Sequence, residues 1–330
     1  MINEINAMIE TISPSLDSVL PTELIEKVKR SIEILKLAGR MSERYYNKPL
    51  IICYSGGKDS DVLADLAIRS GVNIEMSNSH TTIDAPETVY HIRRQFDKWR
   101  AEGIPCVIRY PMYKGKRTSM WDLIVQHGSM PSPWGRYCCE TLKENNEPRR
   151  FIATGIRKSE SAKRAQRNVF EWLASRKEKY IGKSFEETAE VYQEDVEDSP
   201  YGDCKLITAA KHHRKLCVNP LIEWTDEDVW KYIKKTDIAY NPLYDEGFKR
   251  IGCIGCPLTN TYQKRMEFNR WPKYEKLYRQ ACQKMIDEKK REGKDFMLKT
   301  KDGQYVVAKD GNEVFDWWFN IRSYSPKSNS

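Results

Sequence analysis

Six consecutive residues carry the clearest chemical pattern in this 330-residue sequence. They are Ser55, Gly56, Gly57, Lys58, Asp59 and Ser60, placed between an apolar run and a helical pattern. Paired glycines allow a tight turn that points successive backbone N–H groups into one concavity, where a helix N-terminus adds partial positive charge. The lysine adds a full charge, and the serines add hydroxyl donors. The pattern predicts a site for a phosphate or pyrophosphate group, with a spacing unlike that of the Walker loop.

Four of the nine cysteines form a second pattern. Cys138 and Cys139 are adjacent, whereas Cys253 and Cys256 form a C-x-x-C pair far later in the chain. Four thiolates suit either a zinc ion or a [4Fe–4S] cluster, and adjacent cysteines fit the usual zinc-ribbon geometry poorly, so the tandem pair favours iron–sulfur. Buried free thiols are expected for the other five cysteines, which are Cys53, Cys106, Cys204, Cys217 and Cys282.

An alternation of strand and helix patterns surrounds the glycine loop. Residues 50–54 are a short apolar run typical of a strand buried on both faces, and residues 62–67 place apolar side chains on one helix face. Further strands are predicted at 72–76, 104–110 and 151–155, and a helix at 87–100. This order predicts an α/β fold with a parallel sheet and helices on both faces.

Three segments are predicted along the chain. They are an N-terminal helical segment at 1–48, a nucleotide-binding domain with the cysteines at 49–258, and a helical and hairpin extension at 259–330. Residues 225–228 resemble a capping box that opens a helix, and turn residues flank a short strand at 305–307.

Composition limits the class of partner. Lys and Arg total 55 against 47 for Asp and Glu, and this net charge of +8 permits a nucleotide or nucleic acid. No apolar run is long enough to span a membrane, no signal-peptide pattern opens the sequence, and the clustered cysteines suit a reducing compartment. We therefore expect a cytoplasmic protein without a membrane partner, and the oligomeric state stays open.

Six ordered motifs between about residues 49 and 258 resemble the phosphoadenosine phosphosulfate (PAPS)/adenylyl-sulfate reductase family of the ATP pyrophosphatase (PP-loop) superfamily. They are S-G-G-K-D-S at 55–60, C-C-E-T-L-K at 138–143, G-I-R-K-S-E-S at 155–161, N-P-L at 219–221, W-T-D-E-D-V-W at 224–230 and N-P-L-Y-D-E-G at 241–247. The last motif leads to the C-x-x-C pair. The resemblance implies an adenine nucleotide alpha hydrolase-like, Rossmann-like fold.

The resemblance also implies roles for single residues. ATP or an adenylyl-sulfate-type nucleotide would bind at 55–60 with Mg²⁺, and Asp59 would organise the metal or the loop, or act as a helix N-terminal acid. The four clustered cysteines, Cys138, Cys139, Cys253 and Cys256, would ligate a [4Fe–4S] cluster. Lys143 would lie between cluster and substrate, and Arg157 would contact an anionic group of the nucleotide.

Two departures from the family pattern separate the functional alternatives. Residues 78–88 keep only Pro86, Glu87 and Thr88 of the usual D-T-G…F-P-E-T loop. The family's reductases attack sulfur with a cysteine in a C-terminal E-C-G-L-H motif, whereas the last cysteine here is Cys282, in R-Q-A-C-Q.

The sequence thus favours an ATP pyrophosphatase that adenylates an acceptor and assists sulfur transfer to DNA or tRNA. A cysteine desulfurase or a thioredoxin-like protein would donate the sulfur. Two alternatives stay open: a reductase that makes sulfite from adenylyl sulfate or phosphoadenylyl sulfate, and a non-catalytic nucleotide- and cluster-binding module.

Overall fold

The computed structural model describes residue 16 and residues 18–147, 149–172, 181–196, 205–300 and 302–320. Cys204 and parts of the predicted N-terminal segment and C-terminal extension lie outside these residues. The chain forms two compact units. The first comprises the described residues of Met1–Asn78, Glu87–Ile108 and Glu147–Ile251, and the second those of Ser79–Pro86, Arg109–Asn146 and Gly252–Ser330.

The bounds of the regular elements follow the chain. The strands are β1 Leu50–Cys53, β2 Ile74–Ser79, β3 Cys106–Arg109, β4 Met112–Tyr113, β5 Lys116–Arg117, β6 Phe151–Ala153, β7 Phe170–Trp172, β8 Ile181–Lys183, β9 Leu216–Val218, β10 Met297–Lys299 and β11 Tyr305–Val307. The α-helices are α1 Thr22–Tyr46, α2 Lys58–Arg69, α3 Pro86–Ala101, α4 Met120–His127, α5 Tyr137–Cys139, α6 Ala162–Ala165, α7 Phe185–Val196, α8 Lys205–Lys211, α9 Asp226–Thr236, α10 Thr261–Arg270, α11 Pro272–Arg291 and α12 Gly311–Phe319.

A seven-stranded sheet with the order β3-β2-β1-β6-β9-β7-β8 is the centre of the first unit. Strand β1 pairs parallel with β2 and β6, and β6 pairs parallel with β9. The predicted α/β class with a mostly parallel sheet is confirmed. Strands β7 and β8 are antiparallel additions at one edge, and each has only three residues, too few to give a strand pattern in the sequence.

Strand β1 is buried on both faces, as its apolar run predicts. Ile52 and Tyr54 belong to the main core, whereas Ile51 packs with Ile152 and Cys217 in a separate small cluster. The two clusters form because successive side chains of a strand point to opposite faces of the sheet. The strand is therefore fixed on both faces immediately before the glycine loop.

Helix α9 packs against helix α2, which begins inside the glycine loop. Tyr232 of α9 donates a 2.5 Å hydrogen bond to Asp65 of α2. The predicted capping box is confirmed: the Thr225 hydroxyl accepts from the Asp228 amide, and the Asp228 carboxylate accepts from the Thr225 amide. This cap fixes the start of α9 and so the position of Asp226.

The second unit has a helical and aromatic core. Helices α10, α11 and α12 bury Phe268, Tyr278, Phe315 and Trp318, whose rings contact one another. The predicted short strand at 305–307 is confirmed and pairs antiparallel with 297–299. In the part of the chain described, no helix is both long and apolar enough to cross a membrane.

Candidate functional site

Gly56 takes a backbone conformation that only glycine adopts without strain. Its φ is +73°, and a Cβ at this position would lie 2.8 Å from Cγ1 of Ile92. The following Gly57 is extended and precedes helix α2, which starts at Lys58. Within the loop, the Ser60 hydroxyl donates to the Gly57 carbonyl at 2.7 Å and accepts from the Ser55 amide at 3.2 Å. The loop is therefore a fixed turn at the start of a helix.

The N-P-L-Y motif at 241–244 fixes this loop through hydrogen bonds. Asn241 is fully buried and donates to the Gly56 carbonyl and to the Thr88 hydroxyl, both at 3.0 Å. The Tyr244 hydroxyl accepts from the Lys58 amide at 3.1 Å. That amide is one of those a helix N-terminus leaves without an intrahelical partner. The Tyr244 hydroxyl keeps its own hydrogen and is available as a donor beside the loop.

Two cations and two carboxylates converge on the loop. The Lys58 ammonium lies 2.8 Å from Asp226 and 3.3 Å from Asp59. The Arg157 guanidinium donates to Asp59 at 2.6 Å and to Asp226 at 3.0 Å. The side chains of both cations are about 5% exposed, at 6% and 4%, whereas that of Asp226 is 62% exposed. The sequence predicted Lys58, Asp59 and Arg157 as site residues, and the structure brings them together.

The electrostatics of this network stabilise the charged form of Asp226. Partial burial raises the pKa of Asp226, but the neighbouring Lys58 and Arg157 outweigh it and hold that pKa below its ordinary value. Burial and the charge of Arg250 lower the pKa of Arg164, which indicates further cations nearby. Gly155 lets its own backbone pass close to that of Asp59, because a Cβ at position 155 would lie 3.0 Å from the Asp59 carbonyl oxygen.

A buried polar cluster lies directly behind the loop. The Tyr54 hydroxyl donates to the Asp61 carboxylate at 2.5 Å, and His91 Nε2 lies 2.9 Å from both groups. Burial raises the pKa of Asp61, although His91 and Tyr54 oppose the rise. One oxygen of Asp61 has no hydrogen-bond partner among the described residues. The apolar spacing of helices α2 and α3 gave no sign of this cluster.

All four clustered cysteines lie in the second unit. Cys138 and Cys139 end the short helix α5, which runs into a π-helical segment, Glu140–Glu144, that contains Lys143. Cys253 forms an isolated antiparallel bridge with Asp84, and its C-x-x-C turn continues through Gly255, whose φ is +70°. The tertiary fold thus gathers two distant pairs into one unit.

The thiols influence one another electrostatically. A hydrogen bond with Cys139, burial and the charges of the other cysteines raise the pKa of Cys138. The same hydrogen bond, aided by Lys143 and Arg136 and opposed by burial, lowers the pKa of Cys139 to about 6. The charge of Cys253 in turn raises the pKa of Lys143. One thiolate and one ammonium are therefore favoured within this group.

The donor chemistry fits a thiolate-bound metal centre, since four free thiols from two segments interact within one unit. The described side chains do not themselves form a metal-binding group of three or more His, Cys, Asp or Glu residues. The [4Fe–4S] cluster therefore stays a prediction.

Two of the other five cysteines match the expectation of buried free thiols. Cys217 and Cys282 are buried, and burial raises the pKa of each to about 12. Cys53 and Cys106 are half-buried, with pKa values that burial raises to about 11. The sulfur of Cys282 lies 3.4 Å from that of Met130 in the core, which makes it a poor nucleophile.

Several residues of the loop site were missed as functional residues. The motif that contains Asp226 was interpreted as a helix cap, and the N-P-L-Y motif was noted without a role for Asn241 or Tyr244. Position in an ordered family motif was the available signal. Position in a family motif marks a residue as a candidate for function, but it does not tell which other motif that residue contacts.

Comparison with known proteins identifies relatives. The Phosphoadenosine phosphosulfate reductase domain model matches residues 49–259. An uncharacterized protein of Methanocaldococcus jannaschii is 27% identical over 279 residues, covering 82% of this chain and 55% of the relative. A second protein from that organism is 26% identical, covering 72% of this chain and 43% of the relative. The chain thus spans about half the length of these two relatives.

Further similarities come from one enzyme and two solved structures. Adenosine 5'-phosphosulfate reductase of Lysinibacillus sphaericus is 25% identical, covering 74% of this chain and 88% of the relative. PAPS reductase from Candida auris, solved with phosphate, gives 21% identity and a TM-score of 0.40, covering 71% of this chain and 96% of that chain. U34-tRNA thiolase from Methanococcus maripaludis, solved with its [4Fe–4S] cluster, gives 16% identity and a TM-score of 0.38. The match covers 78% of this chain and 79% of that chain.

The family follows from the sequence match, which extends over more than half of the chain and includes the loop, Arg157 and all four clustered cysteines. The chain belongs to the phosphoadenosine phosphosulfate reductase domain family.

Proposed function

We propose that this chain is an ATP pyrophosphatase-type enzyme that adenylates an acceptor and assists sulfur transfer to a nucleic acid. The observation that carries the proposal is the convergence of two buried cations, Lys58 and Arg157, on a fixed glycine turn at a helix N-terminus. Buried cations, backbone amides and the helix dipole together favour a ligand with several negative charges. The phosphates of ATP supply those charges.

The proposed reaction places these residues around the α-phosphate. An oxygen of the acceptor attacks the α-phosphorus, and the bond from that phosphorus to the bridging oxygen breaks. Pyrophosphate leaves with the electron pair, and the acceptor becomes an adenylate. Lys58 and Arg157 would stabilise the negative charge that develops on the phosphate oxygens. Hydrosulfide delivered by a donor protein would then bond to the acceptor atom that carries the adenylate, and AMP would leave with the acceptor's oxygen.

The carboxylates between the two cations have a consequence for binding. Asp226 is largely exposed and shares both cations, so incoming phosphates would compete with it for Lys58 and Arg157. Asp59 would hold Mg²⁺ through Oδ2, which accepts from Lys58 and has a second lone pair, whereas Oδ1 accepts from both Arg157 and Lys58. Magnesium would offset charge on the leaving pyrophosphate.

The four cysteines, Cys138, Cys139, Cys253 and Cys256, would hold the [4Fe–4S] cluster. The cluster would serve sulfur handling or structure.

The second candidate is a sulfonucleotide reductase. Relatives named adenosine 5'-phosphosulfate reductase favour it. Cys282 would be its nucleophile within this sequence, but that thiol is buried against Met130, and burial raises its pKa to about 12. A reductase would therefore need a nucleophilic cysteine from elsewhere, which makes adenylation the better-supported proposal.

A product assay distinguishes the candidates. The anaerobically purified chain is incubated separately with ATP, adenylyl sulfate and phosphoadenylyl sulfate, each with a thiol donor and with or without tRNA or DNA. Pyrophosphate released from ATP in the presence of one nucleic acid is expected. Sulfite from either sulfonucleotide, without pyrophosphate from ATP, would contradict the proposal in favour of the reductase. Nucleotide binding without any product would favour a non-catalytic module.

A further inference from the structure

The turn that carries Cys253 and Cys256 is enclosed by side chains from outside the matched family region. The match ends at residue 259, and helix α10 begins at Thr261. Helices α10 and α11 supply two polar groups to the turn, and helices α10, α11 and α12 supply aromatic rings around it. The sequence gave this extension no role beyond its fold.

Glu267 holds one end of the peptide group between the two thiols. Its carboxylate accepts a hydrogen bond from the Gly255 amide at 2.8 Å. Its other oxygen accepts from the Gln263 side-chain amide at 3.1 Å. Glu267 is only 7% exposed, and burial of a carboxylate is unfavourable unless hydrogen bonds compensate it. The carboxylate is thus specifically fitted to the Gly255 amide.

Tyr278 holds the other end of the same peptide group. Its hydroxyl donates to the Ile254 carbonyl at 3.0 Å, and its ring is fully buried. The Ile254 carbonyl and the Gly255 amide belong to one planar peptide unit, so both of its polar ends are fixed. A Cβ at Gly255 would lie 2.8 Å from Cζ of Phe268 and 3.0 Å from Cε2 of Tyr278. Neither rotation of this peptide nor a larger residue is compatible with these contacts.

We propose that Glu267 and Tyr278 are positioning residues that orient the central peptide of the C-x-x-C turn and thereby hold Cys253 and Cys256 in one fixed arrangement. The inference rests on the proposed role of these cysteines as ligands. In this proposal, the extension after residue 259 fixes the backbone between Cys253 and Cys256. Partners of ligating residues commonly change metal affinity by about tenfold to a hundredfold when they are removed.

The first test measures thiol reactivity in the full chain after treatment with a chelator. Iodoacetamide labelling is followed at each cysteine by mass spectrometry. Glu267→Ala should raise the labelling rates of Cys253 and Cys256 about tenfold, because a buried amide loses its acceptor and the turn opens. Glu267→Gln keeps an acceptor oxygen and should label like the wild type. Gln263→Ala removes the hydrogen bond to the other Glu267 oxygen but leaves the acceptor of the Gly255 amide in place, so it should raise the labelling rates less than Glu267→Ala.

The second test titrates the same variants with Co²⁺ and records the thiolate-to-cobalt absorption. Tyr278→Phe keeps the ring and removes only the hydroxyl, so it separates the hydrogen bond from core packing. Both Glu267→Ala and Tyr278→Phe should weaken Co²⁺ binding by about tenfold or more.

Two outcomes would overturn the inference. One is wild-type labelling in folded Glu267→Ala and Tyr278→Phe. The other is equal acceleration in Glu267→Gln and Glu267→Ala, which would assign the effect to charge and not to the hydrogen bond. If the labelling rates change as expected but the wild type binds no Co²⁺, the positioning role stands and the proposed metal centre fails.

Discussion

The glycine loop and the cysteine group differ in how many of their polar side chains carry a full charge. At the loop, Lys58 and Arg157 are paired with Asp59 and Asp226, so the site is electrostatically satisfied before any ligand arrives. In the cysteine group, the thiols raise or lower one another's pKa values, and Lys143 faces Cys253. The loop thus carries four paired full charges, whereas the cysteine group favours one thiolate at Cys139 beside the Lys143 ammonium and keeps Cys138 and Cys253 as neutral thiols.

The two regions are therefore organised in different ways before any ligand binds. In the proposed loop site, two carboxylates hold Lys58 and Arg157, and the exposed Asp226 is the one that phosphate oxygens would replace. In the proposed metal centre, hydrogen bonds fix the backbone at Gly255, and the four thiols would act as the donors. Disruption of the first region should therefore alter nucleotide binding, and disruption of the second should alter metal content.

The largest effect is expected for Cys253→Ser. Loss of one thiolate from a four-thiolate set should abolish iron incorporation, while nucleotide affinity stays within about twofold if the regions are independent. Metal analysis by mass spectrometry and ATP binding by fluorescence measure the two quantities. Cys106→Ser, which replaces a half-buried thiol outside the set, should retain iron. Wild-type iron content in Cys253→Ser would refute the proposed ligand set.

Lys58→Ala should have the next largest effect. It removes a buried cation from the predicted phosphate site, and we expect pyrophosphate release to fall about a hundredfold to a thousandfold. The change also leaves Asp226 with one cation fewer. Lys231→Ala is the control, because that lysine pairs with Glu227 on the surface of helix α9. Wild-type turnover in Lys58→Ala would reject the loop as the nucleotide site.

Gly56→Ala should damage the loop through geometry alone. The left-handed φ of +73° and the close Ile92 side chain both oppose a Cβ, so the free energy of unfolding should fall by about 1–3 kcal/mol. Nucleotide affinity should fall with it. Gly71→Ala is a matched control with φ of +67° and nothing within 4 Å of a Cβ, so it carries the backbone strain without the clash. Equal effects of the two variants on ATP affinity would contradict the argument.

The smallest effect is expected for Asp226→Asn. Removing a competitor for Lys58 and Arg157 should strengthen nucleotide binding by about twofold to fivefold, since exposed ion pairs contribute about 0.2–1 kcal/mol. Calorimetric titration with ATP would measure the change, and weaker binding would instead make Asp226 a contributor to the site.

The Asp226→Asn variant also tests how the free energy of unfolding depends on pH. Because the folded-state pKa of Asp226 is lowered, its stabilisation is present above the ordinary carboxyl pKa and is lost as the pH falls through the lowered value. Urea unfolding in this acid range should therefore show a weaker pH dependence in Asp226→Asn. The expected difference is at most about 1 kcal/mol because the side chain is largely exposed.

Local patterns predicted much of the fold and part of the site. The apolar run before Gly56, the amphipathic start of helix α2 and the Thr225 cap all appear where their patterns placed them. These features depend on contacts within a few residues. Strands β7 and β8 were not predicted, because their pairing depends on neighbours elsewhere in the sheet.

The amino-acid sequence alone determined the residue types at the loop, the two cysteine pairs and the family, because motif order and local backbone preferences are properties of the chain. Only the tertiary structure decided that Asp226 forms ion pairs with both Lys58 and Arg157. It also decided that Glu267 and Tyr278 form hydrogen bonds to the two ends of one peptide group between two cysteines. These contacts join residues from separate elements. Their distances depend on how helices and strands pack, and spacing along the chain does not contain that information.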